Sequence, residues 1–258
     1  MRDYQFLAHF RKEEHAFIER CFDWIYQASV RHQEVVTPFL DPREQYILGT
    51  LVRREHRDIL MAIDGGYGTA ERCRVCIYPN YILPNEQSFS LLFLRMTSES
   101  TLEHREVLGS ILGLGIQRHM LGDILPNSDG ADLILAKEMK DYVMGTLTKV
   151  GRKGIIISEI VRDQLWTDHQ AGIEQHTIVS SLRLDTIIAA VCRISRSKSV
   201  DLVRLGKCKV NWQKIDRPDY FVTTGDVISV RGYGRIRLME VRESTKKGKL
   251  PIRYLRNL

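Results

Sequence analysis

The order of patterns along this chain predicts an α+β protein in three successive parts. Three observations carry that reading. Apolar residues recur at helical spacing near the start and then give way to two short strand-like runs. The middle alternates in the order strand, helix, strand, strand, helix, strand. The final third gathers positive charge onto two short helices followed by strands. The boundaries fall at residues 1–80, 81–165 and 177–245, with a basic tail running to 258.

In the first part, Phe17, Ile18, Cys21, Phe22 and Ile25 share one side of a helix. Asp41-Pro42-Arg43-Glu44 is a second helix start. Asp caps the free amides, Pro fits a first turn whose N–H has no partner anyway, and Glu stands three residues after the cap. Residues 44–54 continue that helix with Ile47, Leu48 and Leu51 inward. Residues 59–63 and 74–78 read as strands, and the glycines of the 64–69 loop between them supply positive φ angles rather than a phosphate cradle. Cys73 and Cys76 have the spacing of a zinc knuckle, but residues three apart on a strand face opposite sides and no second ligand pair follows. No metal and no cofactor is expected.

In the middle part, residues 88–94 read as a strand and 101–112 as a helix. Runs at 123–126 and 131–135 flank the turn Asn127-Ser-Asp-Gly130, a hairpin signal. A helix over 137–147 and a strand over 154–161 complete βαββαβ, the order of a ferredoxin-like unit. RNA-recognition motifs share that order, but their aromatic signature is missing here, so Phe89 and Phe93 are read as core. Residues 163–175 are polar and mixed, and read as a linker.

The last part is the most informative. Ile187, Ile188 and Val191 give one helix its apolar side, and Val200, Leu202, Val203 and Leu205 give another. Gly206 stops the second helix, Val210 opens a strand, and Thr224-Gly225-Asp226 turns the chain into a strand over 227–230. From Ser180 to Leu258 there are 18 Lys plus Arg against 7 Asp plus Glu, while the other 179 residues hold 20 against 25. A module with that local excess has the electrostatic footprint of a polyanion binder, the alternative being a solvated basic face with no dedicated partner. The residues assigned to RNA contact are Arg183, Arg193, Arg196, Lys198, Arg204, Lys207, Lys209, Asn211, Arg231, Arg235 and Arg237. No aromatic stacking platform is evident, so structured RNA is expected over single strands.

Composition narrows the class further. The 43% apolar and 27% charged shares are those of a soluble globular chain, and no apolar run approaches the length needed to span a bilayer. The start breaks on charges at once and lacks a signal-peptide core. Five sparse cysteines give no disulfide framework and fit a reducing compartment. A cytoplasmic monomer is the expectation.

Two resemblances bear on function. Arg183-Leu-Asp185, Ser195-Arg-Ser-Lys198, Gly206-Lys-Cys-Lys-Val-Asn211 and Gly225-Asp-Val-Ile-Ser-Val-Arg-Gly232 together resemble the S4 RNA-binding domain, with Trp212 where many such domains have Gly. His9-Phe-Arg11, Thr37-Pro-Phe-Leu-Asp-Pro42, Gly65-Gly-Tyr67, Ala70-Glu-Arg72, Pro79, His104-Arg105, Gly109, Leu114-Gly-Ile116, Arg118 and Gly122-Asp-Ile124 extend the likeness to the YlmH family of S4 proteins. That resemblance implies RNA binding on the large ribosomal subunit in translation quality control. It also implies gene neighbours in cell division, which opens the separate reading of a division adaptor.

Catalysis finds little support among the residues. Pseudouridine synthases attack uridine through the Asp of an Arg-Leu-Asp, yet Asp185 lies inside the S4-like stretch, where helix packing accounts for it. Gly113-Leu-Gly115 lacks a third glycine and follows a helix, and no nucleotide-loop, nucleophile-elbow or zinc-protease pattern occurs. The reading is a non-enzymatic protein that docks on rRNA or tRNA, with an RNA-modifying enzyme as the alternative.

Overall fold

Residues 10–55, 58–167, 173–243 and 248–257 are described by a computed structural model. The chain divides into two units, Met1–Asp168 and His169–Leu258.

The first unit opens with α1 (His15–Arg31), β1 (Val35–Val36), α2 (Pro42–Glu55), β2 (Ile59–Asp64) and β3 (Arg74–Pro79). The three strands pair antiparallel in the order β1-β3-β2. Ile18, Cys21 and Ile25 of α1 meet Ile47, Leu48 and Leu51 of α2 and Val75 and Ile77 of β3 in one core. The α2 start is the reciprocal cap that its sequence predicts. The Glu44 amide donates to Asp41 Oδ1 at 2.9 Å, and the Asp41 amide donates to Glu44 Oε2 at 2.8 Å.

The same unit continues with β4 (Leu91–Thr97), α3 (His104–Gly113), β5 (Leu121–Asn127), β6 (Gly130–Ala136), α4 (Lys140–Thr146), β7 (Lys149–Val150), β8 (Lys153–Gly154) and β9 (Ile156–Glu159). Four of these strands form an antiparallel sheet in the order β5-β6-β4-β9. Because side chains alternate along a strand, Leu92, Leu94, Leu133 and Leu135 face Val107, Ile111 and Val143 of the two helices. Phe93 and Ile134 face the other way, against Phe39, Leu125 and Leu165. Gly130 closes the β5–β6 hairpin at φ +151°, where a Cβ would stand 1.9 Å from the Met96 carbonyl oxygen.

The strand expected over 88–94 starts three residues later. Asn85 accepts hydrogen bonds from the Gln87 and Ser88 amides and caps a 3-10 turn over Glu86–Phe89, and Ser90 then adopts a left-handed φ of 48°. Phe89 therefore packs with Cys76 and Tyr78 rather than beside Phe93. The β7–β8 hairpin is an addition that the sequence reading missed.

A polar seam joins the α1–β3 half of this unit to the β4–β9 half. Asp123 accepts from the Tyr67 hydroxyl at 2.9 Å and from the Glu71 and Arg72 amides at 2.7 and 3.2 Å. The Arg72 guanidinium donates to the Leu121 and Phe39 carbonyls at 3.0 and 2.8 Å. Burial and the Asp123 charge push the Tyr67 phenol pKa up, so it stays a donor. Gly66 in the adjoining loop has φ +94°, the conformational role its sequence suggested.

The second unit contains β10 (Ile173–Val179), α5 (Leu184–Cys192), α6 (Arg196–Arg204), β11 (Cys208–Val210), β12 (Gln213–Lys214), β13 (Val227–Val230), β14 (Gly234–Val241) and β15 (Leu250–Asn257). Its six strands run in the order β10-β15-β14-β13-β11-β12. Leu184, Ile187, Ile188, Val191 and Val203 of the helices cover Val210, Ile228, Val230, Ile236 and Leu238. Each such buried aliphatic side chain stabilises by about 1.5–3 kcal/mol relative to exposure.

Two stretches differ from their sequence reading. The basic tail contains β15, which lies between β10 and β14. The polar linker ends in β10, which begins at Ile173. Ile252 and Tyr254 turn into the core while Arg253 faces away, donating to Glu240 Oε2 at 3.0 Å and Glu174 Oε2 at 3.2 Å. The acids that neutralise it stand on other strands, so the pattern of 250–257 alone looked like a charged extension. Lys246 and Lys247 of that tail lie outside the described residues. No described helix is long and apolar enough to cross a membrane.

Candidate nucleic-acid interface

The second unit places its helix N-termini side by side around one buried carboxylate. Asp185, in the first turn of α5, is 1% exposed. Arg183, the residue before α5, reaches it through Nε at 3.1 Å and Nη2 at 3.2 Å. Arg196, the first residue of α6, reaches the second oxygen through Nε at 3.3 Å. The Ser199 hydroxyl also donates to the Asp185 backbone carbonyl at 2.8 Å, which fixes α6 against α5. Burial pushes the Asp185 pKa up, but the hydrogen bond from Arg183 and the charges of Arg196 and Arg183 outweigh it and hold the carboxyl below its ordinary range.

Electrically, this cluster carries two cations for one anion. The guanidinium-bearing side chains of Arg183 and Arg196 remain 35% and 56% exposed, so their outer N–H groups face solvent in a fixed fork. Ser195 caps α6, its hydroxyl accepting from the Lys198 amide at 3.2 Å. The Lys198 ammonium lies 5.9 Å from the centre of the Tyr233 ring, bringing the β13–β14 turn beside the same helix end. A helix N-terminus flanked by exposed cations is suited to phosphate.

The structure brings the residues predicted for RNA contact together only in part. Arg183, Arg196 and Lys198 gather at the helix N-termini, Arg193 caps the C-terminus of α5 at φ 54°, and Arg204 ends α6. Lys209, Arg235 and Arg237 alternate with the buried Cys208, Val210, Ile236 and Leu238, so they project from the sheet face that the helices do not cover. Lys207 and Arg231 meet at the strand ends, where the Arg231 amide donates to the Lys207 carbonyl at 3.0 Å. Asn211 is engaged internally: its amide donates to Asp226 at 2.7 Å and its oxygen accepts from the Val227 amide at 2.9 Å. Lys214 pairs with Lys209 across the β11–β12 hairpin, and the Arg235 guanidinium stands 5.6 Å from the Trp212 ring centre.

The first unit presents no matching surface on its central sheet. Phe93 is covered by Phe39 and Leu165 packing and by the Arg162 guanidinium, 5.6 Å from its ring centre, so it is core as the sequence suggested. Cys73 and Cys76 are both buried, which pushes each thiol up to about 12. The Cys76 side chain packs against Tyr78 and Phe89, whereas the Cys73 thiol donates to the Ala70 carbonyl.

Comparison with known proteins decides the family. Residues 13–82 match the description "YlmH, N-terminal", residues 84–164 match "Putative RNA-binding domain in YlmH", and residues 182–228 match "S4 domain". The chain belongs to the YlmH family. It is 36% identical over 251 residues to the ribosome-associated protein quality control protein P2 of Bacillus subtilis, covering 96% of this chain and 97% of that one. A solved structure, the cell division protein ylmH from Streptococcus pneumoniae, superposes with a TM-score of 0.56 at 24% identity, covering 61% of this chain and 97% of the other, and speaks to fold alone. The helix-paired basic unit of this YlmH-family protein contains its S4 domain, an RNA-binding module matched over residues 182–228.

Proposed function

We propose that this protein is a non-enzymatic RNA-binding factor that docks on structured ribosomal RNA or tRNA of the large ribosomal subunit, in translation quality control. The observation that carries the reading is the Arg183–Asp185–Arg196 cluster at the paired helix N-termini of the S4 domain. Two preorganised guanidinium groups with one shared counter-ion hold a net positive charge at the partly exposed surface of this cluster. The name of the Bacillus subtilis relative supports the ribosomal setting.

The same cluster argues against the enzyme alternative. Asp185 is the only carboxylate that an Arg-Leu-Asp chemistry offers, and it is buried and hydrogen-bonded by two arginines, so it has no free lone pair aimed at solvent. The central sheet, with its first strand between its third and last, supports the ferredoxin-like reading of residues 81–165. That part, slightly acidic, covered on both sheet faces and matched by the family's putative RNA-binding domain, serves in this proposal as an auxiliary docking body beside the S4 domain, which carries most of the RNA affinity.

Fractionation of a lysate on a sucrose gradient at moderate salt tests the proposal. Wild type is expected with the large subunit, and Arg196→Glu with Lys198→Glu is expected at the top of the gradient. Wild type at the top, even after translation is stalled, defeats the ribosomal reading.

A further inference from the structure

Asn211 and Trp212 are the two central residues of the β11–β12 hairpin, whose closing pair is Val210 and Gln213. Both carry positive φ angles, 48° and 64°. This is the two-residue turn in which Asn-Gly predominates, because glycine enters the left-handed region without a Cβ clash. Asn211 has a structural reason to be there, since it ties Asp226 and the Val227 amide. Trp212 has none of that kind. It is the largest side chain placed where a side chain is least welcome, and strain of this sort points to a use for the group that bears it.

Its surroundings indicate the use. The Arg235 guanidinium stands 5.6 Å from the Trp212 ring centre. Lys209 lies directly opposite both Lys214 and Ser229, and Ser229 lies opposite Arg235. Lys214, Lys209, Ser229 and Arg235 thus form one row across four strands, on the face away from the helices. Lys209 and Lys214, directly opposite one another, concentrate positive charge beside the Trp212 turn. An aromatic plane braced by arginine, with lysines along its rim, matches a nucleobase and its flanking phosphates.

We infer that the Trp212–Arg235 pair is a stacking site for one unpaired RNA nucleotide, with Lys209 and Lys214 holding its phosphates. The inference rests on the RNA-binding reading and refines it: the helix side grips duplex phosphates, and the opposite sheet face captures a base that a bulge or loop has released. Indole stacking is tolerant of base identity, so the site reads the unpaired state rather than the sequence.

The test uses the full chain and two short RNA hairpins, one fully paired and one with a single bulged adenosine. Wild type is expected to prefer the bulged hairpin by roughly 5- to 100-fold. Trp212→Gly, which restores the favoured turn, is expected to melt at or above the wild-type temperature, to lose that preference and to bind the paired hairpin as wild type does. Trp212→Tyr is expected to keep most of the preference. Should Trp212→Gly fail to fold, Trp212→Asn takes its place, since asparagine tolerates positive φ. Equal wild-type affinity for the two hairpins overturns the stacking site and leaves RNA binding standing, as does a Trp212→Gly variant that keeps the preference. Wild type that binds neither hairpin overturns the RNA-binding reading itself.

Discussion

The two units of this chain each bury a carboxylate against arginine, and they do so with different arithmetic. In the first unit, Asp132 is fully buried and takes both ends of one guanidinium, Arg95, at 2.7 and 2.8 Å, plus the Trp166 amide at 2.8 Å. One cation meets one anion, and Arg95 Nη2 also donates to the Gln164 carbonyl at 2.6 Å. In the second unit, Asp185 is shared by two arginines at 3.1–3.3 Å. The first arrangement fastens residues 164–166 to the central sheet and leaves no charge over. The second leaves a positive surplus at the surface. Whole-unit composition repeats the contrast, with 18 Lys plus Arg against 8 Asp plus Glu in residues 169–258 and 20 against 24 in residues 1–168. A buried ion pair closes a structure; a buried anion with two partners aims one.

The sharpest way to break this contrast is to separate the units. Residues 169–258 are expected to keep measurable affinity for structured RNA, and residues 1–168 to bind far more weakly, in filter-binding or anisotropy titrations. With about five phosphate contacts, the log–log salt dependence of the basic fragment should have a slope of roughly −3.5 to −4.5. Equal binding by the two fragments, or a flat salt response, sinks the division of labour. The fragment has to begin before Ile173, because a cut at 177 removes most of β10 from the edge of the sheet.

Next in size is Leu184→Asp. Leu184 is completely buried in the core of the second unit, so a carboxylate there is expected to unfold that unit and abolish its melting transition. A normal melting temperature would show the helix face to be misplaced.

Arginine deletions then compare the two carboxylates directly. Arg95→Ala strands the Asp132 charge inside the first unit and should cost about 3–5 kcal/mol of its stability with no change in RNA affinity. Arg196→Ala leaves Asp185 still held by Arg183 and the Thr186 amide, so stability should fall by less than about 1 kcal/mol. RNA affinity should nevertheless drop on the order of ten-fold, the worth of one charged hydrogen bond. The reverse ordering in melting and titration experiments would erase the distinction.

The smallest expected effect is in pH. The folded Asp185 carboxyl is held below its ordinary pKa of about 4, so the folded state binds its proton less readily than the unfolded chain does. That stabilisation is therefore present at neutral pH and is lost as pH falls from about 4 through the folded value. Asp185→Asn should flatten the acid limb of the melting temperature for residues 169–258, and an unchanged limb would count against the cluster.

What the sequence disclosed and what it hid follow one physical line. The Asp41 cap, the Asn127–Gly130 hairpin, the Gly206 stop and the two S4 helices were legible because each depends on neighbours within a few positions. β15 was hidden because the partners of Arg253 are on β10 and β14. Helix packing accounts for Asp185 in the sequence, but its capture of Arg196, eleven residues on, needs the two helices folded together. The start of β4 was misplaced because the run 88–94 is apolar enough for a strand, while the Asn85 cap competes for its first residues.

The Asp123 seam has a consequence for how the first unit comes apart. Its carboxylate holds the Tyr67 hydroxyl and two backbone amides of residues 71–72, while Phe39 from one half packs against Ile134 of the other. Opening either half alone would strip a half-buried carboxylate of three donors and expose a shared apolar layer. The two family segments in residues 13–164 are therefore expected to open as one cooperative block, with a single calorimetric transition and a common protection limit for their slowest-exchanging amides.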